Sequence, residues 1–254
     1  MIDLSGKVAL ITGGSRGIGR ACAERLAEAG ADIAINYVSS LEHAQETVAA
    51  VQQLGRRAVA IKADVSEQED VSEMIDHIRQ TFGRLDILVS NAATGGFRLL
   101  IGASARNFEA AMNTNVRALM FLVQSALPLL ERSEGRAKVV ALSSHGSQMA
   151  LPMYGLIGAS KAALEAMVRH LTLEIGDRGI NLNIVMAGLV ETDSTRHIPN
   201  SQQIFDARRD KTMTGQRMLT AADVADAVLY LASPLSDQVQ GATLVVDGGA
   251  AIHL

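Results

Sequence analysis

KVALITGGSRGIGRACAERLAEAG, residues 7–30, decides the fold. A short apolar run, KVALIT (7–12), reads as a buried strand, and a helical pattern follows over 17–29. Between them lie Gly13, Gly17 and Gly19, spaced G-x-x-x-G-x-G. This is not the G-x-G-x-x-G dinucleotide fingerprint, but the physics is shared. Glycine lets the backbone turn sharply and approach a pyrophosphate, and a helix N-terminus offers free N–H groups to it. Gly13, Ser15, Arg16, Gly17, Ile18 and Gly19 are therefore candidate phosphate-binding residues.

The same alternation continues outward along the chain. Strand-like runs stand at 7–12, 32–36, 58–62, 85–90, 138–143, 180–186 and 242–247, and helical patterns at about 17–29, 41–54, 67–82, 104–132, 154–176 and 221–232. Nearly continuous apolar strands imply burial on both faces, as in a parallel sheet. Strand alternating with helix implies right-handed βαβ units. The expectation is a doubly wound α/β fold of the Rossmann type, with a parallel seven-stranded sheet, helices on both faces, and one domain over 1–254. No repeat, low-complexity tract or linker interrupts it. A polar, irregular stretch from about 191 to 218 follows the sixth strand, where open α/β sheets place ligands, and is the expected substrate-binding region.

Composition narrows the class. The chain has 254 residues, 48% of them hydrophobic, and a net charge of −4. Lys and Arg form no stripe, so nucleic-acid binding is not expected. No apolar run reaches the ~18 residues of a membrane span, and the opening residues do not resemble a secretory signal. Cys22, the single cysteine, permits no intrachain disulfide and reads as a core residue. A cytoplasmic protein is the expectation. The six histidines show no metal-ligand spacing, and no metal site is read. His145 reads as a loop histidine, not as a general acid.

The second strand bears on the cofactor. NAD-binding folds often carry an acid at its end to bond the ribose 2′-hydroxyl. Here Asn36 stands at that place, and Asp32 lies at the wrong end of the strand. Without the carboxylate a 2′-phosphate is not repelled; Arg16 can attract it, and Ser39 and Ser40 can hydrogen-bond it. This pattern points to NADPH.

Seven landmarks then stand in order: TGGSRGIG (12–19), ADV (63–65), SNAA (90–93), NTNV (113–116), SS (143–144), SKAALEAM (160–167) and VDGG (246–249). Together they resemble the short-chain dehydrogenase/reductases over essentially the whole chain. The resemblance implies strand order 3-2-1-4-5-6-7 and a homotetramer. It implies Asp64 and Val65 at the adenine, Asn91 and Ala92 along the ribose side, and Asn115 holding a water or backbone contact beside the catalytic lysine. It also implies Gly188, Val190 and Thr192 near the nicotinamide carboxamide.

Family members act through Ser, Tyr and Lys, with Tyr and Lys spaced Y-x-x-x-K. Lys161 is fixed by its motif and Ser144 keeps its place, but Ile157 occupies the tyrosine position and Tyr154 lies three residues earlier. Along a helix four residues turn about 400° and seven about 700°, so both return near one face. The spacing Y-x6-K is similar to that of the NADPH-dependent type III enoyl-acyl-carrier-protein reductases. An enoyl reductase develops charge on a thioester oxygen farther from the hydride acceptor carbon than in a ketone, which suits a displaced tyrosine. The implied roles are Tyr154 at the thioester carbonyl, Lys161 at the nicotinamide ribose, and Ser144 at the substrate or its loop. The implied substrate is an acyl thioester on acyl carrier protein, in fatty-acid or polyketide-type metabolism. A carbonyl reductase of the same fold and a non-catalytic NADP(H) sensor are the alternatives. Met149, Met153 and Met186 are candidate acyl-pocket residues. Arg196, Arg208, Arg209, Lys211 and Arg217 read either as a carrier-protein contact or as a solvated face.

Overall fold

Val8 and Leu10 of β1 (Val8–Ile11) enter one hydrophobic core, and Ala9 and Ile11 enter another. Successive side chains of a strand point to opposite faces, so an unbroken apolar run covers both. The computed structural model describes residues 2–198 and 200–252. Among them, β1 is joined by β2 (Asp32–Tyr37), β3 (Ala58–Lys62), β4 (Ile87–Ser90), β5 (Ala137–Ser144), β6 (Ile180–Ala187) and β7 (Thr243–Val246). They form one sheet of order β3-β2-β1-β4-β5-β6-β7, parallel throughout. The expected fold class and strand order are both found.

One face is covered by α3 (Gln68–Phe82), α5 (Ala118–Leu130) and α6 (Gly155–Ile175). The other is covered by α1 (Gly17–Glu28), α2 (Leu41–Gln53) and α9 (Ala221–Ala232). The edge strand β7 turns Thr243 and Val245 outward and packs Leu244 and Val246 inward. The strand order reverses beside β1, between β2 and β4, and the carboxyl ends there open a crevice where such sheets bind ligands.

The helix expected over 104–132 is divided. It runs as α4 (Ala105–Met112), a π-helical turn over Asn113–Arg117, and α5. Ser104 starts it with a capping box, its hydroxyl accepting from the Asn107 amide. Apolar periodicity does not register one wide turn; the cause lies in the partners of Asn115, described below. The region at 191–218 contains α7 (Asp193–Arg196) and α8 (Ser201–Lys211). Among the described residues no helix is long and apolar enough to cross a membrane, and no group of three His, Cys, Asp or Glu side chains stands together to hold a metal.

Candidate active site

The glycine loop is built for a close backbone approach. Gly13 and Gly17 have φ of +63° and +57°, which residues with a side chain rarely adopt. Arg16, the N-cap of α1, places no side chain on the helix N-terminus. The free amides of the first turn therefore face the cleft that Gly13, Ser15, Arg16, Gly17 and Ile18 line. Gly19 differs from the reading above: it is buried, and a Cβ there would collide with the Gly13 carbonyl and the Asn91 amide. Its smallness serves packing of helix against loop rather than contact with a ligand.

Three polar side chains fasten this loop. Asn36 accepts from the Gly13 amide (3.3 Å) and donates to the Ala63 carbonyl (2.8 Å). That dual role needs an amide, because an ionised carboxylate cannot donate. Asn91 donates to the carbonyls of Thr12 (2.9 Å) and Gly13 (3.2 Å). Thr12, which the sequence reading passed over, accepts from the amides of Asn91 and Ala92 through its hydroxyl, both at 3.0 Å. Ser39, Ser40, Asp64, Val65, Asn91 and Ala92 all line the same cleft. Asp64 also takes the Ser66 amide and hydroxyl, which turns the chain into α3. Asp32 is paired with Arg56 and Arg57 at the far end of its strand.

Tyr154 is not inside α6 but is its N-cap, and its carbonyl accepts from the Gly158 amide at 2.7 Å. The residue therefore lies on the helical path, and Tyr154, Ile157 and Lys161 all line the cleft. The Tyr154 hydroxyl meets the Ser144 hydroxyl, while the Ser144 oxygen also accepts from the Gly146 amide. The Tyr154 ring lies against Gly146, where a Cβ would sit 2.4 Å from two ring carbons, and it faces Phe97 with centroids 6.0 Å apart. Burial raises the Tyr154 phenol above its ordinary value, partly offset by Ser144. The group is a neutral hydrogen-bond donor at physiological pH.

Lys161 is buried and donates to the Leu142 carbonyl at 2.7 Å. Desolvation lowers its ammonium to about 8, against the pull of the Glu165 carboxylate one helical turn away. Glu165 itself accepts from the Ser143 hydroxyl at 2.5 Å. Asn115 does not face the cleft. Its amide brackets the Thr94 backbone, accepting from N (2.7 Å) and donating to O (2.8 Å), and also donates to Ser160 (2.9 Å). The π turn delivers this side chain to both partners, so Asn115 positions the segment beside Lys161 without touching a ligand.

Gly188, Val190 and Thr192 line the cleft; Thr192 also caps α7 in a box with Thr195. Of the three methionines only Met149 lines it: Met186 lies on β6 and is fully buried, and Met153 is spent on a turn with φ of +59°. The basic side chains near the entrance are largely paired. Arg196 meets Glu191 and Asp193, Arg209 meets Asp206 and Asp210, and Arg217 meets Asp223. The cleft totals 1410 Å³ and continues past Tyr154 to Ile198, to Ile204 and Ala207 of α8, and to Ala250, Ala251 and Ile252 of the C-terminal segment.

A doubly wound sheet with a glycine loop at its switch point and a Ser–Tyr–Lys group on the fifth strand and sixth helix defines a nucleotide-dependent oxidoreductase. Residues 13–251 match the family described as Enoyl-(Acyl carrier protein) reductase. The chain belongs to this family of short-chain dehydrogenase/reductases. It is similar to 1-cyclohexenylcarbonyl-CoA reductase of Streptomyces collinus, 36% identical over 97% of this chain and 87% of that one. It is also similar to the hydroxynaphthalene reductase-like protein Arp2 of Metarhizium majus, 36% identical over 98% of this chain and 96% of that one. A short chain dehydrogenase from Burkholderia cenocepacia J2315, solved in complex with NADP, superimposes with a TM-score of 0.88. It is 39% identical and the match covers 97% of this chain and 98% of that one.

Proposed function

We propose that this oxidoreductase reduces the 2,3 double bond of 2-enoyl thioesters with NADPH. The observation that carries the reading is the place of the phenol. Tyr154 meets Ser144 at the cleft, while the position four residues before Lys161 is filled by Ile157, which has no proton to give. The uncapped N-terminus of α1 and the left-handed glycines fit a dinucleotide pyrophosphate, and Arg16, Ser39 and Ser40 fit a ribose 2′-phosphate. When bound, NADPH supplies the hydride. Tyr154 donates its hydrogen bond to the thioester oxygen, where negative charge gathers as C3 is reduced. Lys161, buried and cationic below about pH 8, lowers the free energy of that charge and of a polarised phenol. Ser144 holds the Tyr154 hydroxyl in place. Asn115 keeps the 94 segment closed over the helix that carries Lys161.

The Streptomyces relative supports this reading, since the compound in its name is a 2-enoyl thioester. The thioester is presented on the pantetheine arm of acyl carrier protein or of coenzyme A. The paired arginines around the entrance offer little free positive charge, so carrier recognition rests on the arm more than on an acidic protein surface. A second reading, reduction of a carbonyl, is favoured by the hydroxynaphthalene reductase-like relative. NADPH oxidation with crotonyl and acetoacetyl thioesters separates the two. Turnover of crotonyl thioester that Tyr154→Phe lowers by on the order of a hundredfold is expected. Turnover of acetoacetyl thioester alone would overturn the enoyl reading.

A further inference from the structure

The Ser144 loop is joined to the C-terminus by a buried pair that the chemistry above does not use. His145 Nε2 lies 2.9 Å from Asp247 Oδ2, and both residues are less than 9% exposed. Asp247 directly follows β7, and its carboxylate has further duties. It accepts from the Gly249 amide (2.8 Å) and the Ala251 amide (3.0 Å). Gly248 and Gly249 stand at φ of +64° and +79°, so the chain reverses tightly around this carboxylate. One acidic group thus organises a turn whose outer residues, Ala250, Ala251 and Ile252, line the cleft.

The turn also carries the α8 side of the cleft. The Gly248 carbonyl accepts from the Met213 amide (2.8 Å), and the Ala250 carbonyl accepts from Arg208 (3.0 Å). The neighbouring Ile204 and Ala207 line the same apolar end. On the other side, the His145 carbonyl accepts from the amides of Gln148 and Met149, both at 3.0 Å, and Met149 faces the cleft. A continuous set of bonds therefore runs from the loop that seats Tyr154, through His145 and Asp247, to the apolar wall made by Ile204, Ala207 and residues 250–252.

We propose that His145 and Asp247 are a positioning pair that fixes residues 250–252 as the specificity wall for the acyl chain of the substrate. The proposal rests on the enoyl-thioester reading for the identity of that chain, and on geometry alone for the wall. A buried carboxylate that loses one of its donors must find another or draw in water, and either change loosens the turn it organises. A short acyl group is held by Tyr154 and does not reach the turn; a long one lies along it.

The test uses the full chain in two measurements. Amide exchange of the ligand-free protein is followed over 245–252, and kcat and KM are measured with NADPH on crotonyl-CoA and trans-2-decenoyl-CoA. In His145→Ala, exchange at Gly249 and Ala251 is expected to quicken by about tenfold, and the decenoyl KM to rise by about tenfold with crotonyl KM far less changed. His145→Gln, which keeps an N–H for Asp247, restores much of both. Ile252→Ala alters only an 81% exposed side chain and leaves folding untouched. It should raise the decenoyl KM at least about threefold through lost apolar contact. Unchanged exchange over 247–252 in His145→Ala, or equal KM changes for the two thioesters, would overturn the pair as a positioning device. If the unaltered protein reduces neither thioester, the enoyl reading fails, while the exchange measurement still decides the role of the pair.

Discussion

Gly146→Ala isolates the placement of the Tyr154 ring from every other feature of the site. Gly146 lies in the short 3-10 turn over His145–Ser147, and it is not among the residues with positive φ, so alanine fits its backbone. The new methyl would start 2.4 Å from Cδ1 and Cε1 of Tyr154, whereas ordinary contact begins at 3.4 Å. The ring must therefore retreat by about 1 Å, a misplacement that can lower turnover about a hundredfold. Phe97 stands on the ring at a centroid distance of 6.0 Å, and Gly158 packs against Gly146 from the helix, so neither neighbour makes room freely. A hundredfold loss is ~2.7 kcal/mol of transition-state stabilisation. The assay is steady-state oxidation of NADPH with crotonyl thioester, with cofactor affinity measured in parallel by fluorescence titration. The glycine loop is untouched, so kcat should collapse while NADPH affinity holds. A Gly146→Ala protein with near-normal kcat and native thermal unfolding would refute the assignment of Tyr154 as the group at the reacting oxygen.

Arg16→Ala should weaken NADPH binding by roughly ten- to a hundredfold while leaving NADH binding little changed; equal losses measured by titration would remove Arg16 from the 2′-phosphate. Lys161 acts as a cation and its ammonium is lowered to about 8, so activity is present below that pH and lost as pH rises through it. Glu165→Gln removes a charge that holds the ammonium up, and the alkaline limb of the pH–rate profile should move to lower pH; a limb that stays in place would show that Lys161 does not set it. The double change Tyr154→Phe with Ile157→Tyr should not restore enoyl reduction, because the hydroxyl would then stand about one turn nearer the lysine. Ile157 packs against Gly95, so overpacking by the ring should also lower stability by about 1–3 kcal/mol, read from chemical denaturation.

The sheet was legible because each strand is short, apolar and buried on both faces, and the strand boundaries fall within two residues of the runs that announced them. The glycine loop was legible for the same local reason: chain reversal, helix start and amide exposure are all properties of adjacent residues. What escaped is non-local. Gly19 looks like its neighbours in sequence, yet it meets Asn91 from the loop that follows β4. Asn115 sits in a helical pattern whose π turn is set by Thr94 and Ser160. Met186 follows the alternation of β6 and is fully buried on one face of the sheet, which proximity to a motif cannot convey. His145 and Asp247 lie 102 residues apart, and only the neighbouring ends of β5, β6 and β7 bring them together.

The displaced tyrosine shows how far periodicity carries a functional reading. Helix phase places Tyr154 and Lys161 on one face, and both do line the cleft. Phase alone does not hold the phenol there, because Tyr154 is the N-cap of α6 with non-helical backbone angles, so the helix by itself does not fix the direction of its side chain. Three contacts from outside the helix supply that direction: the Ser144 hydroxyl at its tip, the bare backbone of Gly146 under its ring, and Phe97 across it. The first two lie on the segment that leaves β5, the strand that also gives Lys161 its acceptor at Leu142. The phenol and the ammonium are thus referenced to one rigid strand end rather than only to each other. A tyrosine can therefore move three residues along the chain and still line the same cleft as the lysine, provided that Gly146 keeps the floor open.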